Sequence, residues 1–341
     1  MIFFLLQLSL SWWDTGHSII ARIAQKEITS AQNQWITDLF YLWPEEAGDL
    51  INQSSWQDII ANLQYQVRSM KTWHYADEPY IPEDSPEIRV PPICYNVTDI
   101  CRDTMELLLD KTTTSPWALS FALRSLIHFL GDSHCPMHAV ALFTKDLPTG
   151  DAGGNLYKFT NELGANAAQL HKIWDNAGLS YQTLYPKSTF EANVSRLIKN
   201  HPKSLYEKRI QETNPYTWIL ESFQVAKEVA YSTPQGQTPS EDYFQRVREA
   251  ADTQLAIAGY RLGAFLNKFF EKRGLPELYT PFSKQEKKIK ISEVVAWILV
   301  ALCVVYLGCE RLFSILKRHN IVIPKGKTDQ ILKDDNELDD Q

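Results

Sequence analysis

The chain has 341 residues, 44% hydrophobic and 22% charged, with 14 Gly and 17 Pro, which excludes collagen-like and wholly disordered chains. A formal net charge of -7 argues against a protein that grips nucleic acid through a broad basic surface, but not against an enzyme that holds phosphate through bound metal. Five Cys are too few for a disulfide-built scaffold and compatible with one disulfide in a secreted domain.

Residues 2–8 are apolar and run into Ser9-Leu10-Ser11, a small-x-small pattern that signal peptidase cuts after. The reading is a signal peptide over residues 1–11 and a mature chain that begins at Trp12. Ile19, Ile20, Ile23, Ala24 and Ile28 recur on one helical face. Ser30 is expected to cap a second helix carrying Trp35, Ile36, Leu39 and Phe40, which stops before Pro44. Cys94 and Cys101 fall in a Pro-rich loop, where a local disulfide is expected, leaving Cys135 unpaired. Ser115-Pro116 opens a helix with proline at its first position. The run that follows is apolar on most faces and predicts a central buried helix. Gln169–Asp175, Trp218–Tyr231 and Tyr243–Phe270 read as further helices. Strand-like alternation is sparse, so the fold class is all-α (mainly α), with one domain over residues 12–283.

A stalk is expected over residues 284–292. Val294–Cys309 carries no charge and would span roughly 24 Å as a helix, a little short of a ~30 Å hydrocarbon core, which it reaches when extended to Leu316 with Glu310 and Arg311 included. A transmembrane helix over residues 293–316 and a polar cytoplasmic tail over 317–341 follow. The expectation is a single-pass membrane protein of the secretory pathway with an extracellular or lumenal domain. The sequons at Asn52, Asn96 and Asn193 suit that compartment as glycosylation sites.

The chemistry lies in the histidines and aspartates. His128 and Asp132 stand four residues apart, as do His171 and Asp175, so each pair shares a helical face. Zn²⁺ accepts such a mixture of imidazole and carboxylate. Each pair alone is more often a salt bridge or a satisfied core histidine. Two copies in apolar helices shift the balance, because buried ionisable groups are costly unless paired or metal-bound. His138 follows Asp132 beyond Pro136, while His17, Asp58 and His74 lie upstream.

The ordered set of motifs resembles the zinc-dependent class I single-strand nucleases of fungi, plants and protists, the last being membrane-anchored 3′-nucleotidase/nucleases. The matching elements are Trp12-x-x-x-Gly16-His17, Ser55-Trp56-x-Asp58 and His74-Tyr75-x-Asp77. They continue with His128-Phe129-x-Gly131-Asp132-x-x-x-Pro136-Met137-His138, Gly150-Asp151-x-Gly153-Gly154-Asn155 and Leu170-His171-x-x-Trp174-Asp175. The resemblance implies the helical fold shared with zinc phospholipases C and a cofactor set of three zinc ions. Asp58, His74, His128 and Asp132 would hold one ion, and His138, His171 and Asp175 a second. Asp132 would bridge to a third, held also by His17 and by the backbone amine and carbonyl of Trp12. Tyr75 stands where the family stacks a base and Asn155 where it hydrogen-bonds one. Asp77 and Asn176 match positions that orient the attacking group and stabilise the transition state.

The implied activity is endonucleolytic hydrolysis of single-stranded DNA and RNA to 5′-phosphate products, with 3′-nucleotidase activity on 3′-nucleotides, through zinc-activated water. No protein partner is expected. Two alternatives remain at this point: a zinc phospholipase C-type phosphodiesterase on the same fold, and a non-catalytic surface glycoprotein with structural zinc. The sequence departs from the family pattern at Ala61, Ala152, the long loop 139–150, His134-Cys135 and the residue before Leu170.

Overall fold

The computed structural model describes residues 12, 14–43, 48–63, 67–82, 90, 95–160, 168–181, 187–278 and 311. The chain divides between Tyr279 and Thr280. The expected signal peptide, stalk and tail, Cys94, and all of the expected transmembrane segment but Arg311 lie outside the described residues. Among the described residues, no helix is long and apolar enough to cross a membrane.

The first unit is mainly helical. Its helices in chain order are α1 (Asp14–Lys26), α2 (Ser30–Phe40), α3 (Trp56–Asp58), α4 (Val97–Leu109), α5 (Pro116–Ser133) and α6 (Pro136–Ala139). They continue as α7 (Leu170–Asp175), α8 (Lys187–Asn200), α9 (Glu207–Ile210), α10 (Pro215–Glu228) and α11 (Glu241–Arg273). The expected central helix is α5: Ser115 caps it by accepting from the Ala118 amide, and every residue from Ala122 to Ser133 is buried. In α2 the cap is Thr29, one residue before the expected Ser30. A capping box with Gln32 explains the shift, since each side chain accepts from the other's backbone amide.

α1 lies against α11, where Gly259 and Gly263 face Ile23 and Glu27. A Cβ on Gly259 would sit 2.5 Å from the Ile23 Cβ, so the missing side chain sets the helix spacing. α11 stops at Gly274, whose φ of 71° ends the helix in a region that favours glycine.

The segment after the prolines differs from expectation. Asn96 opens helix α4 through a capping box with Asp99, and Val97, Ile100, Cys101, Thr104, Met105 and Leu108 turn inward. Cys101 is therefore a free, buried thiol rather than half of a Cys94–Cys101 disulfide. It packs among Ala76, Phe129 and Ile219, as a small apolar side chain does. α8 was not anticipated either, and the expected helix 218–231 ends at Glu228, before a 3₁₀ turn over Ala230–Ser232. Asn52 is exposed, while Asn96 and Asn193 are half-buried.

Two three-residue strands, β1 (Glu78–Tyr80) and β2 (Val140–Leu142), pair in parallel with Glu78 opposite Val140. Their place in the chain matters more than their size. β1 directly follows Tyr75–Asp77 and β2 begins two residues after His138, so this ladder draws the two motifs together. The Ala76 amide donates to the His138 carbonyl at 2.7 Å.

Candidate metal centre

α5 carries the hub. One turn apart on it, His128 Nε2 and Asp132 Oδ2 lie 3.3 Å from each other, both fully buried. His74, at the end of the 3₁₀ turn Arg68–His74, brings Nδ1 to 3.0 Å from Asp132 Oδ2 and 3.1 Å from His128 Nε2. Asp58 ends α3 and places Oδ1 3.6 Å from both of those ring nitrogens. Four donor atoms therefore converge from three segments. On the other side of Asp132, His17 Nε2 approaches Oδ1 at 3.3 Å. The His17 ring stacks on His128 with centroids 4.1 Å apart. Trp12 is buried beside them, and its indole N–H donates to the Gly131 carbonyl at 3.1 Å.

Gly131 is needed for this approach. A Cβ there would lie 2.8 Å from His17 Nδ1 and 3.2 Å from Ile20 Cδ1. A side chain at residue 131 would push α1 off α5 and His17 away from Asp132.

The second group lies on α6 and α7. His171 Nε2 is 3.4 Å from Asp175 Oδ1, one turn later on α7. His138 and His171 have ring centroids 5.2 Å apart, and His138 Nδ1 lies 3.9 Å from Asp132 Oδ1. The two groups are thus adjacent.

Backbone carbonyls orient the rings. Nδ1 of His128 pairs with the Ser54 carbonyl at 2.8 Å, that of His138 with the His74 carbonyl at 2.5 Å, and that of His171 with the Gly153 carbonyl at 2.6 Å. Nδ1–H donating to a carbonyl leaves Nε2 as the lone pair, the arrangement metal-ligating histidines use. Neither oxygen of Asp175 accepts a hydrogen bond, and His74 Nε2 and Asn176 Nδ2 also lack hydrogen-bond partners, although all four atoms are buried. Buried polar atoms in native proteins are rarely left this way unless a metal, water or ligand completes them. Together with the donor chemistry, these atoms fit a divalent cation such as zinc. Among the described residues, three sets of donors lie close enough for an ion: His17, Asp58 and His128; His74, His128 and Asp132; and Cys135, His138 and Asp175.

The electrostatics are those of a cluster of charges withdrawn from water. Burial opposes charge on His128, but Asp132 and Asp58 outweigh it and lift its pKa to about 9. Burial likewise opposes the Asp132 carboxylate, yet His128 and His138 hold its pKa well below the usual range. For Asp175, burial, then the Asp58 and Asp132 charges, outweigh the Lys172 charge and push its pKa far up. Burial and the His138 charge drive His171 down to about 3.

The remaining expected residues surround this centre. Tyr75 is half-buried, and burial followed by the Asp77 charge raises its phenol pKa. Asp77 has a φ of 49°, and burial with the Asp151 charge pushes its pKa up to about 8. Gly153 passes close by, with a φ of 59°; a Cβ on it would meet the Met137 carbonyl at 2.4 Å. Asn155 is half-buried and donates from Nδ2 to the Ala152 carbonyl at 2.9 Å. Asn176 is fully buried and accepts from the Leu179 amide at 2.6 Å. Asp151, in the same glycine-rich motif, is a pin: it accepts from the Leu142 amide and the Tyr231 hydroxyl. His134 faces the other way and pairs with Arg261 at 2.7 Å, outside the cluster. Sequence reasoning missed Cys135, whose only signal was an unexpected residue between Asp132 and His138.

The S1/P1 nuclease family model matches residues 12–271. Endonuclease 4 of Arabidopsis thaliana is 29% identical over 288 residues, covering 78% of this chain and 91% of the relative. Endonuclease 3 of the same plant is 28% identical over 285 residues, covering 78% and 91%. Nuclease S1 of Aspergillus oryzae is 23% identical over 282 residues, covering 77% and 93%. The match favours the nuclease reading over a phospholipase on the same fold. A helical unit built round buried His and Asp clusters, in a chain matched over most of its length, makes this protein a member of the S1/P1 nuclease family, an endonuclease and hydrolase.

Proposed function

We propose that the chain hydrolyses single-stranded DNA and RNA to 5′-phosphate products, and removes phosphate from 3′-nucleotides, with three zinc ions. The observation that carries the reading is the convergence of His74, His128, Asp58 and Asp132 on one point, beside a second cluster whose Asp175 oxygens lack hydrogen bonds. Asp58, His74, His128 and Asp132 would hold the first ion; His138, His171 and Asp175 the second; and Trp12, His17 and Asp132 the third. Bound zinc supplies Lewis acidity, lowering the pKa of water and neutralising charge on phosphate.

The chain's own groups do the rest. Tyr75 offers a half-buried ring three residues before β1, and stacking on it requires an exposed base face, which favours single strands. Asn155, its carboxamide fixed by the bond to Ala152, reads the base edge. Asn176 Nδ2 is a buried donor without a partner, and a phosphate oxygen would satisfy it as charge develops there. Asp77, with its raised pKa, can hold the proton of the attacking water. The acidic chain needs no basic groove, because the metal cluster attracts the phosphate.

The proposal includes a lumenal or extracellular catalytic unit, glycosylated at Asn52, Asn96 and Asn193 and anchored through residues 293–316. The apolar run Val294–Cys309 and the sequons support it.

The test follows cleavage of a single-stranded oligonucleotide and its duplex by the full chain, with chelator and after zinc is returned. The expected result is cleavage of the single strand, lost to chelator and restored by zinc, with phosphate on the 5′ end of each product. Cleavage that survives complete metal removal, or that favours the duplex, overturns the reading.

A further inference from the structure

Cys135 sits between Asp132 and His138, immediately before the short helix α6. Its thiol is free and fully buried. One donor atom from each of Cys135, His138 and Asp175 lies within 4.8 Å of the other two. Asp175, also buried, leaves both carboxylate oxygens without a hydrogen-bond partner. The backbone holds the sulfur in place: the Cys135 amide donates to the Asp132 carbonyl at 2.9 Å, and the Cys135 carbonyl accepts from the His138 amide at 3.0 Å. A thiol and a carboxylate side by side in a dry interior both resist ionisation. A cation between them removes that conflict and satisfies the Asp175 oxygens as well.

A second buried thiol among the described residues shows the contrast. Cys101 lies in an apolar cluster with Ala76, Phe129 and Ile219 and belongs to none of the three donor groups. Burial alone therefore does not account for the position of Cys135 beside two metal-binding side chains.

We propose that Cys135 is a thiolate ligand of the metal held by His138 and Asp175, which makes that site a mixed sulfur, nitrogen and oxygen centre. The inference rests on the metal-centre reading above and deepens it. As the sulfur–metal bond forms, the S–H proton passes to solvent. Thiolate is a soft donor, so the site prefers zinc, and likewise cadmium, over magnesium, calcium or manganese. It also donates more charge than an imidazole, so this ion polarises water less than one held by histidine and carboxylate alone.

The experiment replaces the bound metal of the full-length protein with cobalt(II) and records its electronic spectrum. The expected result is an intense near-ultraviolet sulfur-to-cobalt charge-transfer band, present in wild type and in Cys101→Ser but absent from Cys135→Ser. X-ray absorption on the zinc form should show a sulfur scatterer at about 2.3 Å. Cys135→Ser should also lose one ion to chelator at least about tenfold faster than wild type, with circular dichroism unchanged. Cobalt that binds with a purely nitrogen and oxygen spectrum, or a sulfur band that survives in Cys135→Ser, overturns the inference and leaves the metal centre standing. Failure of the chain to bind cobalt or zinc at all overturns both. Should Cys135→Ser not fold, the wild-type sulfur scatterer and its persistence in Cys101→Ser decide the matter.

Discussion

Asp132 Oδ2 lies 3.3 Å from His128 Nε2, one helical turn away on α5, while its other oxygen lies 3.3 Å from His17 on α1. One carboxylate thus faces donors from two helices at once. Asn at this position keeps the shape but loses the charge and one acceptor. Asp132→Asn should release at least two ions and lower kcat/KM by about a thousandfold or more, several kcal/mol of transition-state stabilisation. Metal analysis beside kinetics checks this. A variant with full metal content and undiminished turnover would show that Asp132 is not shared.

Trp12 is buried against α5 through its indole bond to Gly131. If its amine and carbonyl complete the site at His17, a chain with one residue added before Trp12 should fold and lose most of its activity. Mass spectrometry of the mature N-terminus and a rate assay on the extended form provide the check. Equal rates from both forms would remove the terminal amine from the site.

Gly131→Ala places a methyl group where His17 Nδ1 already lies 2.8 Å away. The expected cost is about 1–3 kcal/mol of stability, typical of overpacking a filled core. Occupancy at the His17 site should fall more than occupancy at His138 and Asp175. Urea unfolding and metal counts separate the two effects.

Asp77 gives a pH prediction. Its folded pKa of about 8 stands above the ordinary value of 3.8. The folded chain therefore holds more protons than the unfolded chain between those limits, and stability falls as pH rises through that window. Asp77→Asn suits the positive φ of 49° and does not titrate. In metal-free protein, wild type should lose stability relative to the variant from about pH 4 to about pH 8, by up to about 1.4 kcal/mol per pH unit. Parallel pH dependence in the two proteins would refute the raised pKa.

Much of the site was legible because its geometry is local. The spacing of His128 to Asp132 and of His171 to Asp175 already places each pair on one helical face, and the structure keeps both pairs within 3.4 Å. α5 was visible from its apolar run and its Ser115-Pro116 start. The meeting of His74 with His138 was not legible, since it depends on two strands of three residues each, too short for an alternating pattern. α4 was hidden by the prolines before it, and the local disulfide reading followed from that loop. Asp151 carries no catalytic signature in the structure; its motif also encodes a pin between the glycine-rich turn and β2. The neighbourhood of Cys135 depends on how α6 and α7 lie against each other, which no spacing reports.

The donor side chains come from distant parts of the chain: α1, α3, the 3₁₀ turn before β1, α5, α6 and α7. An ion held by His17 and Asp132, or by His138 and Asp175, therefore closes a long loop, as a covalent cross-link would. Such closures act chiefly on the unfolded ensemble, and their effect grows with the logarithm of loop length. Metal bound in this centre would staple α1 to α5 through His17 and Asp132, and α6 to α7 through His138 and Asp175. Metal supply during folding would then govern how much of the chain reaches its final form, before any substrate is met.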